Sequence, residues 1–348
     1  MANKFKSSAT IIPVDQSVGT ILAHDITEIR PGQFKGPAFK KGYIIKKEDI
    51  PHLKRVGKEH LYVLHLDPGE VHEDDAALRL ATGLAGKGVF FDPHPSEGKI
   101  QLKAAHRGLL KVEVGALIRI NLVPDISCSS RHTNSVVEKG DVIGGVRAIP
   151  LIIDEENLSA AEKIAHSVND FFSVKPFLSP QTGIVITGNE VFSGLIDDKF
   201  APIIRNKLQD FDCTIMGIAF APDDRERIAS EIKRHLEKGA EMIVVAGGMS
   251  VDPDDITRVA IADAGAVDVV YGTPVLPGAM FLYGRFGNVP VLGLPACVLF
   301  FRATVLDLIL PRVLAGERIT REDLAVMAHG GMCLECDPCH FPRCSFGK

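Results

Sequence analysis

The most constraining stretch of this 348-residue chain is Met242 to Asp255, where a β-branched run, Ile243 to Val245, leads into the pair Gly247-Gly248. Such a run reads as a buried strand. The glycines accept φ > 0 and let backbone approach a ligand closely. Beyond them, Ser250, Asp252 or Asp254 is expected to cap a helix carrying Ile256, Val259 and Ala260 and ending at Gly265. Strand, glycine turn and helix N-terminus form the arrangement by which open α/β sheets hold anionic groups, because unpaired N–H groups converge there.

The surroundings extend this pattern. From residue 182 onward, strands and helices alternate at the spacing of βαβ units. Gly183 to Thr187 reads as a strand, followed by a helix capped by Asp197 or Asp198 with Phe200, Ile203, Ile204, Leu208 and Phe211 at helical spacing. Cys213 to Ala219 is the next strand, and Pro222-Asp223-Asp224 opens a helix carrying Ile228, Ile232 and Leu236 and ended by Gly239. Further strands are expected at Val267 to Val270 and in a hairpin around Gly287-Asn288. A buried helix is expected from Ala296 to Leu310, ending at Pro311.

The first half reads differently. Residues 1–67 form an α+β segment, with strands near Thr10 and over 60–65, turns at Gly32 and Gly36, and a helix from Lys47 to Val56. Residues 68–153 form a small β-rich domain, with a helix from Glu70 to Ala85 and short strands over 100–104, 108–114 and 117–123. Residues 154–180 read as a helical linker, 181–318 as an α/β domain, and 319–348 as a Cys-rich tail. The fold class is α/β, with a three-layer α/β/α C-terminal domain preceded by a smaller β-rich α+β region.

Composition narrows the function. A net charge of −5 argues against nucleic acid as a partner. The longest apolar segment, Val298 to Leu310, is too short to span a bilayer and contains Arg302 and Asp307, so no membrane association is expected. The first residues are basic without an apolar run behind them, so no signal peptide is expected and the cytoplasm is the default. Cys333, Cys336, Cys339 and Cys344 crowd the tail. A Cys₄ site for Zn²⁺ or an Fe–S cluster is the favoured reading, against a reactive thiol patch or an unstructured tail.

Three polar loops follow three strands: Thr187-Gly188-Asn189-Glu190, Asp223-Asp224, and Ser250 to Asp255. Ligands of open α/β sheets collect beyond the carboxyl ends of strands. Carboxylates gathered there suit Mg²⁺ with substrate phosphate, although Asp223 and Asp224 also read as helix caps. No Ser/His/Asp signature, dinucleotide fingerprint or Walker A loop is present.

Thr-Gly-Asn-Glu (187–190), Gly-Gly-Met-Ser-Val-Asp-Pro-Asp-Asp (247–255), Leu-Pro-Gly (276–278) and Gly-Leu-Pro-Ala (293–296) occur in an order and spacing that resemble the molybdopterin-binding domain. That domain occurs in enzymes of molybdenum cofactor biosynthesis, including molybdopterin molybdenumtransferases and adenylyltransferases. The resemblance implies a site for molybdopterin or its adenylated form, with Mg²⁺ and molybdate or tungstate near the acidic loops. It makes Glu190 and Asp255 the candidate catalytic residues. Thr187, Gly188, Gly247, Gly248, Ser250, Pro277, Gly278, Gly293 and Pro295 become candidate ligand-binding residues, and Asp223 and Asp224 candidate Mg²⁺ ligands.

The chain also departs from the family. Leu276 and Ala279 stand where lysines are usual, Asp252-Pro253 where Gly-Glu is usual, and Ala296-Cys297-Val298 where Gly-Asn-Pro is usual. The family's Asp-Asn-Ser-Ala-Met-Asp-Gly-Tyr-Ala stretch is absent. The reading is Mg²⁺-dependent insertion of molybdate or tungstate into molybdopterin, and the alternative is a non-catalytic carrier or sensor of the cofactor. A homo-oligomer is expected, and a molybdoenzyme or another maturation protein as partner.

Overall fold

In the computed structural model, alternation between strand and helix builds the C-terminal half, while antiparallel sheets dominate the N-terminal half. The structure describes residues 10–30, 34–63 and 67–348. The basic start, the turn at Gly32 and the end of the strand expected over 60–65 lie outside them. The chain divides into two units, Met1–Lys175 and Pro176–Lys348.

Within the first unit, Thr10–Pro13 pairs antiparallel with His60–Val63, and Ile26–Arg30 forms a hairpin with Phe34–Phe39. Their apolar faces meet on a small core of Val14, Leu22, Ile26, Phe39, Ile45, Leu53 and Leu61. A larger core follows, enclosed by a four-stranded antiparallel sheet, a three-stranded sheet and three helices, Glu73–Leu84, Val114–Asn121 and Glu155–His166.

Three local expectations are corrected here. The helix expected from Glu70 begins at Glu73, because Glu70–His72 pairs as a strand with Ile152–Asp154. The strand expected over 117–123 is the helix Val114–Asn121. Its Leu-Ile-Arg-Ile-Asn-Leu-Val sequence alternates like a strand, but Ala116 and Ile120 are the buried positions, four apart. Asn121 fixes the helix end by donating to the Leu117 and Cys128 carbonyls and accepting from the Cys128 N–H. The segment read as a linker is also part of this unit: Leu158, Ala161 and Ala165 of Glu155–His166 enter the larger core, and Phe172–Lys175 pairs with Gly108–Val112.

The second unit is a three-layer α/β/α domain. Its six-stranded sheet has the order Thr214–Ala221, Gln181–Thr187, Met242–Ala246, Val289–Leu294, Leu282–Phe286, Val267–Tyr271. The first four strands run parallel and the last two pairings are antiparallel. Both faces of the central strands are buried, so their side chains divide by period two. Ile184, Ile186, Met242 and Val244 face the layer of Phe200–Gln209 and Val305–Leu314. Val185, Ile243 and Val245 face the layer of Arg225–Glu237 and Thr257–Asp263.

The expected helix over Ala296 to Leu310 is two elements. A 3₁₀ turn, Ala296–Leu299, ends in a loop, and Thr304 and Asp307 then form a capping box that starts Val305–Leu314. Pro311 lies inside that helix rather than ending it. The tail is folded onto the domain, with Phe346 in the core and Cys333, Cys339 and Cys344 packed against it. Among the described residues, no helix is long and apolar enough to cross a membrane.

Candidate functional site

The chain leaves Gln181–Thr187 toward one face of the sheet and leaves the adjacent parallel strand, Met242–Ala246, toward the other. That divergence opens a crevice beyond the carboxyl ends of the two strands, the place where α/β sheets bind ligands. The loops that begin at Gly188 and Gly247 flank it.

Two buried hydroxyls tie the crevice floor together. Thr187 Oγ1 lies 3.0 Å from Thr257 Oγ1, joining the end of the first strand to the helix Thr257–Asp263. Both glycines of the pair are shaped by this contact. A Cβ on Gly247, at φ +100°, would lie 2.4 Å from the Thr187 carbonyl oxygen, and one on Gly248 would lie 2.5 Å from Thr257 Oγ1. Glycine is therefore demanded by packing as well as by the turn. The Gly247 N–H donates to the Leu294 carbonyl at 3.3 Å. Among the described residues, the Gly248 and Met249 N–H groups find no protein acceptor. They are the donors available to an anion.

The acidic loop folds on itself instead of capping a helix. Asp255 accepts from the Ser250 N–H at 2.9 Å, and Asp252 accepts from the Asp254 N–H at 3.1 Å. No side chain caps Thr257–Asp263, so the cap expected from Ser250, Asp252 or Asp254 is absent. Its start is held instead by the Thr257 N–H donating to the Gly248 carbonyl.

Of the two adjacent aspartates, one joins the site. Asp224 is exposed and caps Arg225–Glu237, accepting from the Arg227 N–H at 2.9 Å. Asp223 turns to the other loop. It accepts from the Asn189 N–H at 3.0 Å, while its own N–H donates to Asn189 Oδ1 at 3.1 Å. This reciprocal pair locks the loop carrying Glu190 to the end of the neighbouring strand. Burial raises the Asp223 carboxyl above its ordinary value; the Asn189 N–H opposes that, and Glu190, Asp255 and Asp254 add to it. The sequence reading missed Asn189, whose signal was its place between Gly188 and Glu190, opposite a strand-end aspartate.

The remaining motif residues sit on neighbouring loops of the same domain. Gly278, at φ +131°, is pressed against Val305, and the Val305 N–H donates to the Pro277 carbonyl at 3.1 Å. Gly293 is covered by Met249, and Pro295 precedes the 3₁₀ turn. Leu276 is bound on both sides by the tail: its N–H donates to Gly331 and its carbonyl accepts from the Cys333 N–H, each at 2.8 Å.

Among the described residues, no three His, Cys, Asp or Glu side chains come together as a metal-binding group. Cys333, Cys336, Cys339 and Cys344 are free thiols and do not converge. The first, third and fourth are turned to the apolar core instead.

Residues 183–315 match a family described as a probable molybdopterin binding domain. Residues 11–65 match a domain of unknown function, DUF8806. A CinA-like protein of Mycobacterium tuberculosis is 32% identical over 85 residues, 24% of this chain and 20% of that protein. A CinA-like protein of Thermosipho melanesiensis is 32% identical over 88 residues, 25% of this chain and 22% of that protein. The chain thus spans about a fifth of the length of the curated relatives it matches. Solved structures that resemble it include the protein CinA from Thermoplasma acidophilum, at 17% identity and TM-score 0.35, covering 38% of this chain and 97% of that one. The molybdopterin biosynthesis enzyme MoaB from Thermus thermophilus is 20% identical with TM-score 0.34, covering 40% of this chain and 98% of that one. The domain over residues 183–315 belongs to the molybdopterin-binding family of molybdenum cofactor biosynthesis.

Proposed function

We propose that this chain binds molybdopterin, or its adenylated form, in the crevice between Gly188 and Gly247 and acts in Mg²⁺-dependent insertion of molybdate or tungstate. The observation that carries this reading is the convergence of two motif loops on one crevice, through Thr187 and Thr257 on one side and Asn189 and Asp223 on the other. The Gly248 and Met249 N–H groups would meet a phosphate of the ligand. One or two of Glu190, Asp223 and Asp255 would hold Mg²⁺ together with substrate phosphates. Burial, with the neighbouring carboxylates Glu190, Asp255 and Asp254 adding to it, already opposes ionisation of Asp223, and a bound cation would offset this. When bound, Mg²⁺ would neutralise charge on the phosphate and the metal oxyanion. Glu190, exposed on the loop locked by Asn189, would orient the oxyanion, and Asp255 would keep the Ser250 loop closed over the phosphate.

One observation favours a carrier instead. Leu276 has no charge to offer an anion, and its backbone is engaged by the tail. The test is incubation of the full chain with adenylated molybdopterin, Mg²⁺ and molybdate, following AMP. Release by the wild type that Glu190→Ala abolishes supports the transferase. Pterin binding without AMP release points to the carrier, and absence of pterin binding overturns both. The first unit is proposed to dimerise the chain or to present it to a molybdoenzyme or another maturation protein.

A further inference from the structure

Two guanidinium groups at the crevice edge have no acidic partner. Arg258, in the first turn of Thr257–Asp263, lies 4.7 Å over the Tyr271 ring. Tyr271 donates its hydroxyl to the Met249 carbonyl at 2.7 Å, which joins the stacked pair to the loop of Gly247 and Gly248. Arg227, in the first turn of Arg225–Glu237, lies 6.0 Å over the ring of Phe192, which ends the short helix after Gly188. Each cation therefore stands on an aromatic residue tied to one of the two loops that flank the crevice.

Their position on the sheet agrees. Val267–Tyr271 reaches the parallel strands through two antiparallel pairings, so it runs in their direction and Tyr271 lies at the same sheet edge as Thr187 and Ala246. Both arginines are exposed, and among the described residues neither forms an ion pair. They differ in this from Arg225, which is clamped by Asp263, from Arg234, paired with Glu231, and from Arg285, paired with Asp268. A guanidinium stacked on a ring is held as a planar fork, which matches phosphate oxygens in pairs.

We propose that Arg227 and Arg258 are the phosphate-recognising side chains of this crevice, supplying the positive charge that Leu276 and Ala279 do not. The inference rests on the pterin-phosphate reading above and adds a direction to it: the phosphoryl groups lie on the side of Arg225–Glu237 and Thr257–Asp263. An adenylated pterin, with two linked phosphoryl groups, is the ligand class that uses both cations.

The test is calorimetric titration of the full chain with ADP, adenosine and molybdopterin. The wild type is expected to bind ADP at least about tenfold more tightly than adenosine. Arg258→Ala and Arg227→Ala are each expected to weaken ADP and molybdopterin by about tenfold, leaving adenosine and the unfolding temperature unchanged. Arg258→Lys should restore part of the loss, and the salt dependence of ADP binding should flatten in the alanine variants. Equal ADP and molybdopterin affinities in wild type and both alanine variants would overturn the proposal, as would a wild type that does not distinguish ADP from adenosine. Arginine-dependent ADP binding without molybdopterin binding would remove the pterin reading and keep the arginines. Molybdopterin bound equally by all three proteins would do the reverse.

Discussion

Two charged clusters, one in each unit, dispose of charge in opposite ways. In the first, ionised groups close on one another. Arg79 forks onto Glu155 and Glu162 at 2.6–2.9 Å, and the guanidinium holds the Glu155 carboxyl down to about 2. Lys41 reaches His72 Nδ1 and Asp74 at 2.7 Å each, while His72 Nε2 donates to the Ala23 carbonyl at 2.8 Å. In the second unit, Glu190, Asp223, Asp254 and Asp255 stand at one sheet edge, and none forms an ion pair among the described residues. Closed networks position backbone and give a ligand nothing to meet. Open ones leave charge that a cation or a substrate can complete, which is the pattern of a functional site.

Glu73 is the exception in the first unit and makes the contrast testable. Its carboxyl is buried, with Arg147 only at 3.7 Å, and burial with Asp74 nearby pushes it up to about 7.

The largest expected effect is at the crevice floor. Gly247→Ala places a methyl group 2.4 Å from the Thr187 carbonyl at φ +100°, and should cost the second unit about 3 kcal/mol. Denaturant unfolding followed by a probe in that unit checks it. A cost under about 1 kcal/mol would mean that the Thr187 contact is soft.

Next is the pH dependence of the first unit. Glu73 binds its proton more tightly folded than unfolded. Its contribution is therefore full below about 4.5 and is lost as pH rises through about 7, a change of roughly 3 kcal/mol. Burial lowers His24 and His72, so their contribution has the opposite sign: it falls as pH drops below about 6.5. Glu73→Gln should remove the first slope and leave the second, so stability of this unit rises more steeply from pH 4.5 to 7 than in the wild type. Equal slopes would show Glu73 to be paired in solution.

The smallest effects separate neighbouring aspartates. Asp224→Ala should cost about 1 kcal/mol through the lost cap and leave ligand binding unchanged. Asp223→Asn should change stability little and weaken Mg²⁺-dependent ligand binding. Equal binding losses in both would make the two carboxylates one group.

How much was legible follows from range. The βαβ order of the second unit, the caps at Asp198 and Asp224 and the hairpin at Gly287-Asn288 were readable, because each depends on residues within a few positions. The helix Val114–Asn121 was not, since its sequence also suits a strand and contacts at Cys128 and Ile120 decided it. Nor was the packing of the tail, whose Phe346 enters a core formed far away in sequence and whose Cys333, Cys339 and Cys344 lie against it.

By itself, the sequence determined which loops carry glycine and acid and which strands precede them, because backbone freedom and hydrophobic period are local properties. Tertiary structure alone decided that Asp223 faces Asn189, that Thr187 meets Thr257 and that Arg227 stands over Phe192. Those outcomes depend on which groups lie across gaps of 34 to 70 positions, as Asn189 and Asp223 or Thr187 and Thr257 do. A side chain's partner is set by strand order and helix placement, and no local pattern encodes it.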